Sequence, residues 1–154
     1  MRRPILLVLA ATAMPVHASG LDALFALQRN GLWEAYSGGN PAPTRRYCIT
    51  DAVRLNGVQA TADAFATMGC KPDSETITGA AFEVVYACTN ADPNLGNFRL
   101  AMSGSAGADH MTVKTTITGG GRMIQQMAPA MNTTEEWRRA RDCAPGEKPG
   151  LQPP

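Results

Sequence analysis

The sequence predicts a mainly β fold: a small antiparallel sheet or partly open barrel, with one or two short helices, stapled by two disulfides. Three observations carry this. Phe98, Leu100 and Met102 alternate with Arg99, Ala101 and Ser103, and after the break at Gly104 to Asp109 the residues Met111, Val113 and Ile117 alternate with Thr112, Lys114 and Thr116. Such period-two patterning marks an antiparallel pair with one apolar and one solvated face. The second observation is the stretch Cys70 to Cys88, two short runs around Gly79, whose second arm Phe82-Glu83-Val84-Val85-Tyr86-Ala87-Cys88 is rich in aromatic and β-branched residues. Gly79 supplies the positive φ of a tight reversal. The third is four Cys in a chain that opens like an exported protein.

Met1-Arg2-Arg3, the apolar run Ile5 to Ala13 and the small residues Val16 and Ala18 have the three parts of a secretory signal peptide over residues 1–18. The apolar run is too short for a membrane span of about 20 residues. Cleavage after Ala18 would leave 12 basic against 13 acidic residues and one His, His110. A nearly neutral chain asks for no nucleic acid, and no second apolar run asks for a membrane. What remains is the length of one domain, assigned to residues 19–143.

Taken in order, Leu21 to Gln28 predicts a short helix stopped by Asn30-Gly31. Gly31 to Tyr36 predicts a strand ended by Gly38-Gly39-Asn40-Pro41, and Thr44 to Ile49 a second one carrying Cys48. Thr50 can cap a helix over Asp51 to Leu55. Asn56-Gly57 interrupts the pattern, and the Ala-rich Val58 to Met68 predicts a second helix. The hairpin of Cys70 to Cys88 follows. In simple register it sets Glu75 opposite Glu83, an unfavourable pair unless that face is solvated or a bulge shifts the turn half. Asn90 to Asn94 is a turn cluster before the alternating hairpin. Arg122 to Met131 carries Met123, Met127 and Met131 at spacing four, interrupted by Pro129, and Trp137 to Cys143 is a last strand or a short helix capped by Thr133 or Thr134. The expected strands number about six. Residues 144–154, with four Pro and two Gly, have little to bury and are expected to be disordered.

Opposed positions on an antiparallel hairpin can reach disulfide geometry, so Cys70 is expected to pair with Cys88, which leaves Cys48 for Cys143. A four-thiolate metal site would need close pairs such as C-x-x-C, and the chain has none.

Gly31-Leu32-Trp33-Glu34, then Tyr47-Cys48-Ile49-Thr50, a Cys on each side of a β hairpin, a Gly- and Met-containing hairpin, and Arg138-Arg139-Ala140-Arg141-Asp142-Cys143 follow one another along nearly the whole chain after residue 18. In this order they resemble the bacterial exported family catalogued as domain of unknown function 3617. The chain departs from that pattern in a longer Ala-rich insert between Cys48 and Cys70 and a less regular Met-rich segment. The resemblance implies a small secreted or periplasmic β-rich domain, and implies no catalytic residue.

No G-x-S-x-G, H-E-x-x-H or phosphate loop is present, so the chain is not expected to be an enzyme, and no cofactor is assigned. The expectation is a non-catalytic binding or envelope-associated module, whose partner would be an envelope protein or a small apolar ligand. Two sharper alternatives name residues. Gly31-Leu32-Trp33 with late arginines looks like the Trp and Arg pairing of lipocalin-type barrels; Trp33 under Arg139 or Arg141 would be a structural plug or close one end of an apolar cavity. Copper binding would draw on His110 with Met102, Met111, Met123, Met127 and Met131, soft ligands suited to Cu(I). Core packing is the ordinary role of such methionines, with Met102 and Met111 facing each other in the second hairpin.

Overall fold

The computed structural model describes Asp22 and residues 25–152. The proposed signal peptide over residues 1–18 lies outside the described residues, as do Leu21 and Leu24 of the first predicted helix; Asp22, Phe25 and Ala26 are helical. The elements are β1 (Gly31–Ser37), β2 (Arg45–Ile49), α1 (Asp51–Thr67), β3 (Cys70–Thr78), β4 (Ala81–Cys88), β5 (Phe98–Ala106), β6 (His110–Gly119), α2 (Arg122–Met131), β7 (Thr133–Arg141) and β8 (Gly150–Gln152). All eight strands belong to one open antiparallel sheet in the order β3-β4-β5-β6-β7-β1-β2-β8.

The register sorts the side chains as the alternation requires. Directly opposed residues share a face, so the chain of pairs Ile77↔Phe82↔Gly104↔Val113↔Glu135 and Val84↔Met102↔Thr115 defines one face. Met111↔Trp137↔Ala35 and Trp33↔Tyr47 continue that face to β2. It holds two apolar clusters. One is built on Phe82, Val84, Ala106 and Met111, the other on Cys70, Cys88, Phe98, Leu100, Ile117 and Ile124. The opposite face carries Glu34, Arg46, Thr112, Lys114, Glu136 and Arg138, in contact with water.

The central hairpin turns at Gly79 with φ 61°, and Cys70 pairs with Cys88 both in register and as a disulfide. A bulge between Pro72 and Ser74 moves the turn half by one residue, so Glu75 meets Val84 and Thr76 meets Glu83. The like-charge pair that simple register demands is thereby avoided. The second disulfide joins Cys48 to Cys143 across a sequence separation of 95.

Three expectations are corrected. The strands number eight, not about six, because Thr133–Arg141 is wholly strand and Gly150–Gln152 adds β8. Residues 144–152 are therefore not the disordered tail expected of them: Glu147 accepts from the Ala144 amide and the Arg141 guanidinium, and β8 pairs with β2 through Arg46, Tyr47 and Cys48. Asn56-Gly57 does not break the helix; α1 is one helix of 17 residues. Arg122–Met131, to which the sequence assigns no element, is a helix that forgoes one internal hydrogen bond at Pro129. Ile124 anchors α2 on the second cluster.

Helix α1 leaves β2 near one edge of the sheet and enters β3 at the other, so it passes over the apolar face as a strap. Thr50 caps it, accepting from the Val53 amide at 3.3 Å. At its far end Phe65 stacks against Tyr86, with ring centroids 4.7 Å apart.

Candidate functional site

Beneath the strap lies a cleft of about 430 Å³. The sheet side is lined by Tyr47, Ile49, Tyr86, Met102, Met111 and Trp137, from five different strands. A flat sheet would hold β4 and β2 about 24 Å apart, five strand spacings, so sharing one cleft requires the apolar face to curl inward. The strap side explains why there is room. Val53, Gly57, Thr61 and Phe65 recur every four residues and so follow one line along α1; Phe65 fills its end with a ring, whereas Gly57 and Thr61 in the middle are small. Tyr47, Ile49, Val53, Tyr86, Met102 and Trp137 are consequently half-buried, although Ile, Val and Met are among the side chains most often fully buried in a packed core.

The polar atoms of the cleft gather at the start of α1. Arg54 binds Asp51 at 2.9 Å through Nη1, and through Nη2 the Gln28 carbonyl at 2.6 Å and Asn30 Oδ1 at 2.9 Å. Its Nε is buried with no hydrogen-bond partner among the described residues. Gln28 is 6% exposed, and its side-chain amide donates to the Met111 sulfur at 3.2 Å. A thioether is a weak acceptor. Asp22 also lines the cleft. The Tyr86 phenol is held above its ordinary pKa, first by burial and then by the charges of Glu75 and Asp22, so it stays protonated at neutral pH.

The loop carrying Gln28 is clamped by Arg54 together with two residues that the sequence singles out, Trp33 and Arg139. Arg54, Trp33 and Arg139 take three successive carbonyls: Gln28 as above, Arg29 from Trp33 Nε1 at 2.9 Å, and Asn30 from Arg139 Nε at 2.8 Å. Trp33 is 0% exposed, and Arg139 stands opposite it on β7. Both side chains thus fasten this loop beside the cleft, at the place where the sequence suggests a structural plug. Arg141 does not join them. A register shift puts Arg141 opposite Leu32, and its guanidinium binds Glu147 at 3.0 Å. The stacked cation expected on Trp33 occurs elsewhere: Arg45 lies 5.4 Å over Trp137, and Arg138 lies 5.2 Å over Tyr36.

This fastening explains Gly31. This residue has φ 147°, and a Cβ there would come within 2.5 Å of the Arg141 carbonyl oxygen and 2.7 Å of Arg139 Nε. Gly31→Ala is expected to cost at least ~2 kcal/mol through backbone strain and the displaced guanidinium. Urea denaturation measures it; an unchanged midpoint would contradict this account of Gly31.

The proposed copper ligands are not gathered. Met102 and Met111 line the cleft, on the same face but not directly opposed, since Met102 meets Thr115 and Met111 meets Ala106. Met131 packs on the second apolar cluster, and Met123 and Met127 are exposed on α2. His110 opens β6 on the polar face, 2.9 Å from Glu136. There Glu136 also accepts from Arg138 at 2.7 Å; that bond, followed by the one to His110, holds its carboxyl down at about 2. A recess of about 660 Å³ on this side is lined by Tyr36, Gly38, Gly39, Asn40, Glu136 and Arg138, whose charges already answer one another.

Sequence alone points to none of Gln28, Arg54, Tyr47, Tyr86 and Trp137 as cleft residues. One signal was present: Arg54 is the only cation between Thr50 and Gly69, in a helix otherwise poor in charge. No family model, curated protein or solved structure matches the chain. No helix among the described residues is long and apolar enough to cross a membrane.

Proposed function

We propose that this chain is an exported, non-catalytic binding module that holds a small, largely apolar ligand in the cleft between α1 and the sheet. The cleft itself is the observation that carries the reading. Its volume falls in the roughly 300–1,000 Å³ range of small-molecule sites, and its walls combine aromatic and aliphatic side chains with a few polar groups at one end, the usual composition of such sites. Two disulfides suit an oxidising compartment, in keeping with the signal-like residues 1–18. An envelope protein remains the natural destination or source of the cargo.

Native mass spectrometry of the chain from Ser19, purified from a bacterial envelope, tests the reading. The expected result is an added mass of a few hundred daltons that organic solvent removes and that Thr61→Leu, which fills the middle of the cleft from the strap, prevents. A bare polypeptide mass, with no uptake from a mixture of hydrophobic small molecules, would contradict it.

A further inference from the structure

The polar end of the cleft identifies the ligand more closely, resting on the reading of the cleft as a binding site. We infer that the ligand is a neutral, mainly aliphatic or aromatic molecule with one hydrogen-bond-accepting oxygen, of the ketone, ester or amide class, held with that oxygen toward Gln28 and Arg54. Two donors there are under-used. Gln28 is more than nine-tenths buried, yet its amide nitrogen is spent on the Met111 thioether at 3.2 Å. The buried Nε of Arg54 has no hydrogen-bond partner among the described residues. Buried donors of this kind are costly unless an acceptor reaches them. The two residues are neighbours, since Arg54 Nη2 binds the backbone carbonyl of Gln28 at 2.6 Å, and both line the cleft. An oxygen entering from the apolar part of the cleft would approach this pair of residues.

Charge decides between a neutral oxygen and a carboxylate. The Arg54 guanidinium is already matched by Asp51 at 2.9 Å. An anionic head group would therefore bring a second negative charge to a cation that is already paired. A carbonyl oxygen takes the donors without that repulsion. The rest of the lining, Phe25, Tyr47, Ile49, Met102 and Trp137, offers no charge to a polar tail.

Isothermal titration of the unmodified chain with decan-2-one, decane and decanoate at neutral pH tests the assignment. Decan-2-one is expected to bind about 5- to 10-fold more tightly than decane, the worth of one net hydrogen bond, and more tightly than decanoate. Gln28→Leu is expected to bring decan-2-one and decane together while leaving decane unchanged; the comparison on the unmodified chain stands even if that variant folds poorly. Equal binding of decane and decan-2-one would overturn the inferred oxygen and leave the cleft a purely apolar site. Tightest binding by decanoate would overturn its neutrality. Failure of all three probes would remove the proposed binding function itself, and this inference with it.

Discussion

Replacing both Cys48 and Cys143 by serine is expected to remove about 4 to 5 kcal/mol of stability, because the bridge closes a loop across a separation of 95 residues in the unfolded chain. The position of the bridge adds to the effect. Cys48 lies on β2 and is paired with Leu32 on β1, which is paired with Arg141 at the end of β7, so the bridge crosses the middle strand of three. It also holds the segment whose Glu147 binds Arg141 and from which β8 returns to β2. Domains of this size hold only about 5–15 kcal/mol in total, so the double variant should be close to unfolding at physiological temperature. Removing Cys70 and Cys88, separated by 18 residues in an already paired hairpin, is expected to cost less, about 3 kcal/mol. Urea unfolding of the two double variants decides the order. A larger loss for the hairpin bridge would contradict it.

Trp33→Ala is the second large effect, at about 3–5 kcal/mol, the usual cost of deleting a fully buried aromatic ring. Beyond packing, the substitution deletes the donor to the Arg29 carbonyl, one of three side-chain bonds that hold the loop of Gln28 in place. Trp33→Phe keeps most of the volume and loses that bond, for which about 1 kcal/mol plus a smaller packing loss is expected. Thermal melts of both variants measure the difference. A loss below ~1 kcal/mol for Trp33→Ala would mean that the ring does not fasten this loop.

Much of this architecture was legible because its signals are local. Period-two alternation identified β5 and β6, and Gly79 between two short runs identified the hairpin and hence both disulfides. Even the bulge had a trace, in the clash that simple register forces between Glu75 and Glu83. The failures arose where tertiary contacts override local preference. Asn56-Gly57 is a poor helical pair, yet α1 continues through it, because its ends are fixed by the Thr50 cap, the Arg54 bonds and the stacking of Phe65 on Tyr86. Pro129 hid α2, and the Pro-rich end hid β8, which exists because the edge of β2 offers it a partner. The cleft was the least legible part. Its walls come from five strands and the strap, and its cause is the smallness of Gly57 and Thr61, which reads in the sequence only as absence of pattern. The juxtaposition of Trp33 and Arg139 was visible as a residue pair, whereas Arg141 was drawn away by a register shift that no local pattern reveals.

The central claim is that apolar molecules enter the cleft beside Trp137, and fluorescence quenching by 1-bromodecane tests it most directly. Trp137 lines the cleft and is half-buried, while Trp33 is fully enclosed, so the two indoles should respond differently. Saturable quenching that Trp137→Phe abolishes, and that Thr61→Leu weakens with the fold retained, is the predicted result. Quenching that persists in Trp137→Phe, or none up to the solubility limit of the probe, would contradict the account.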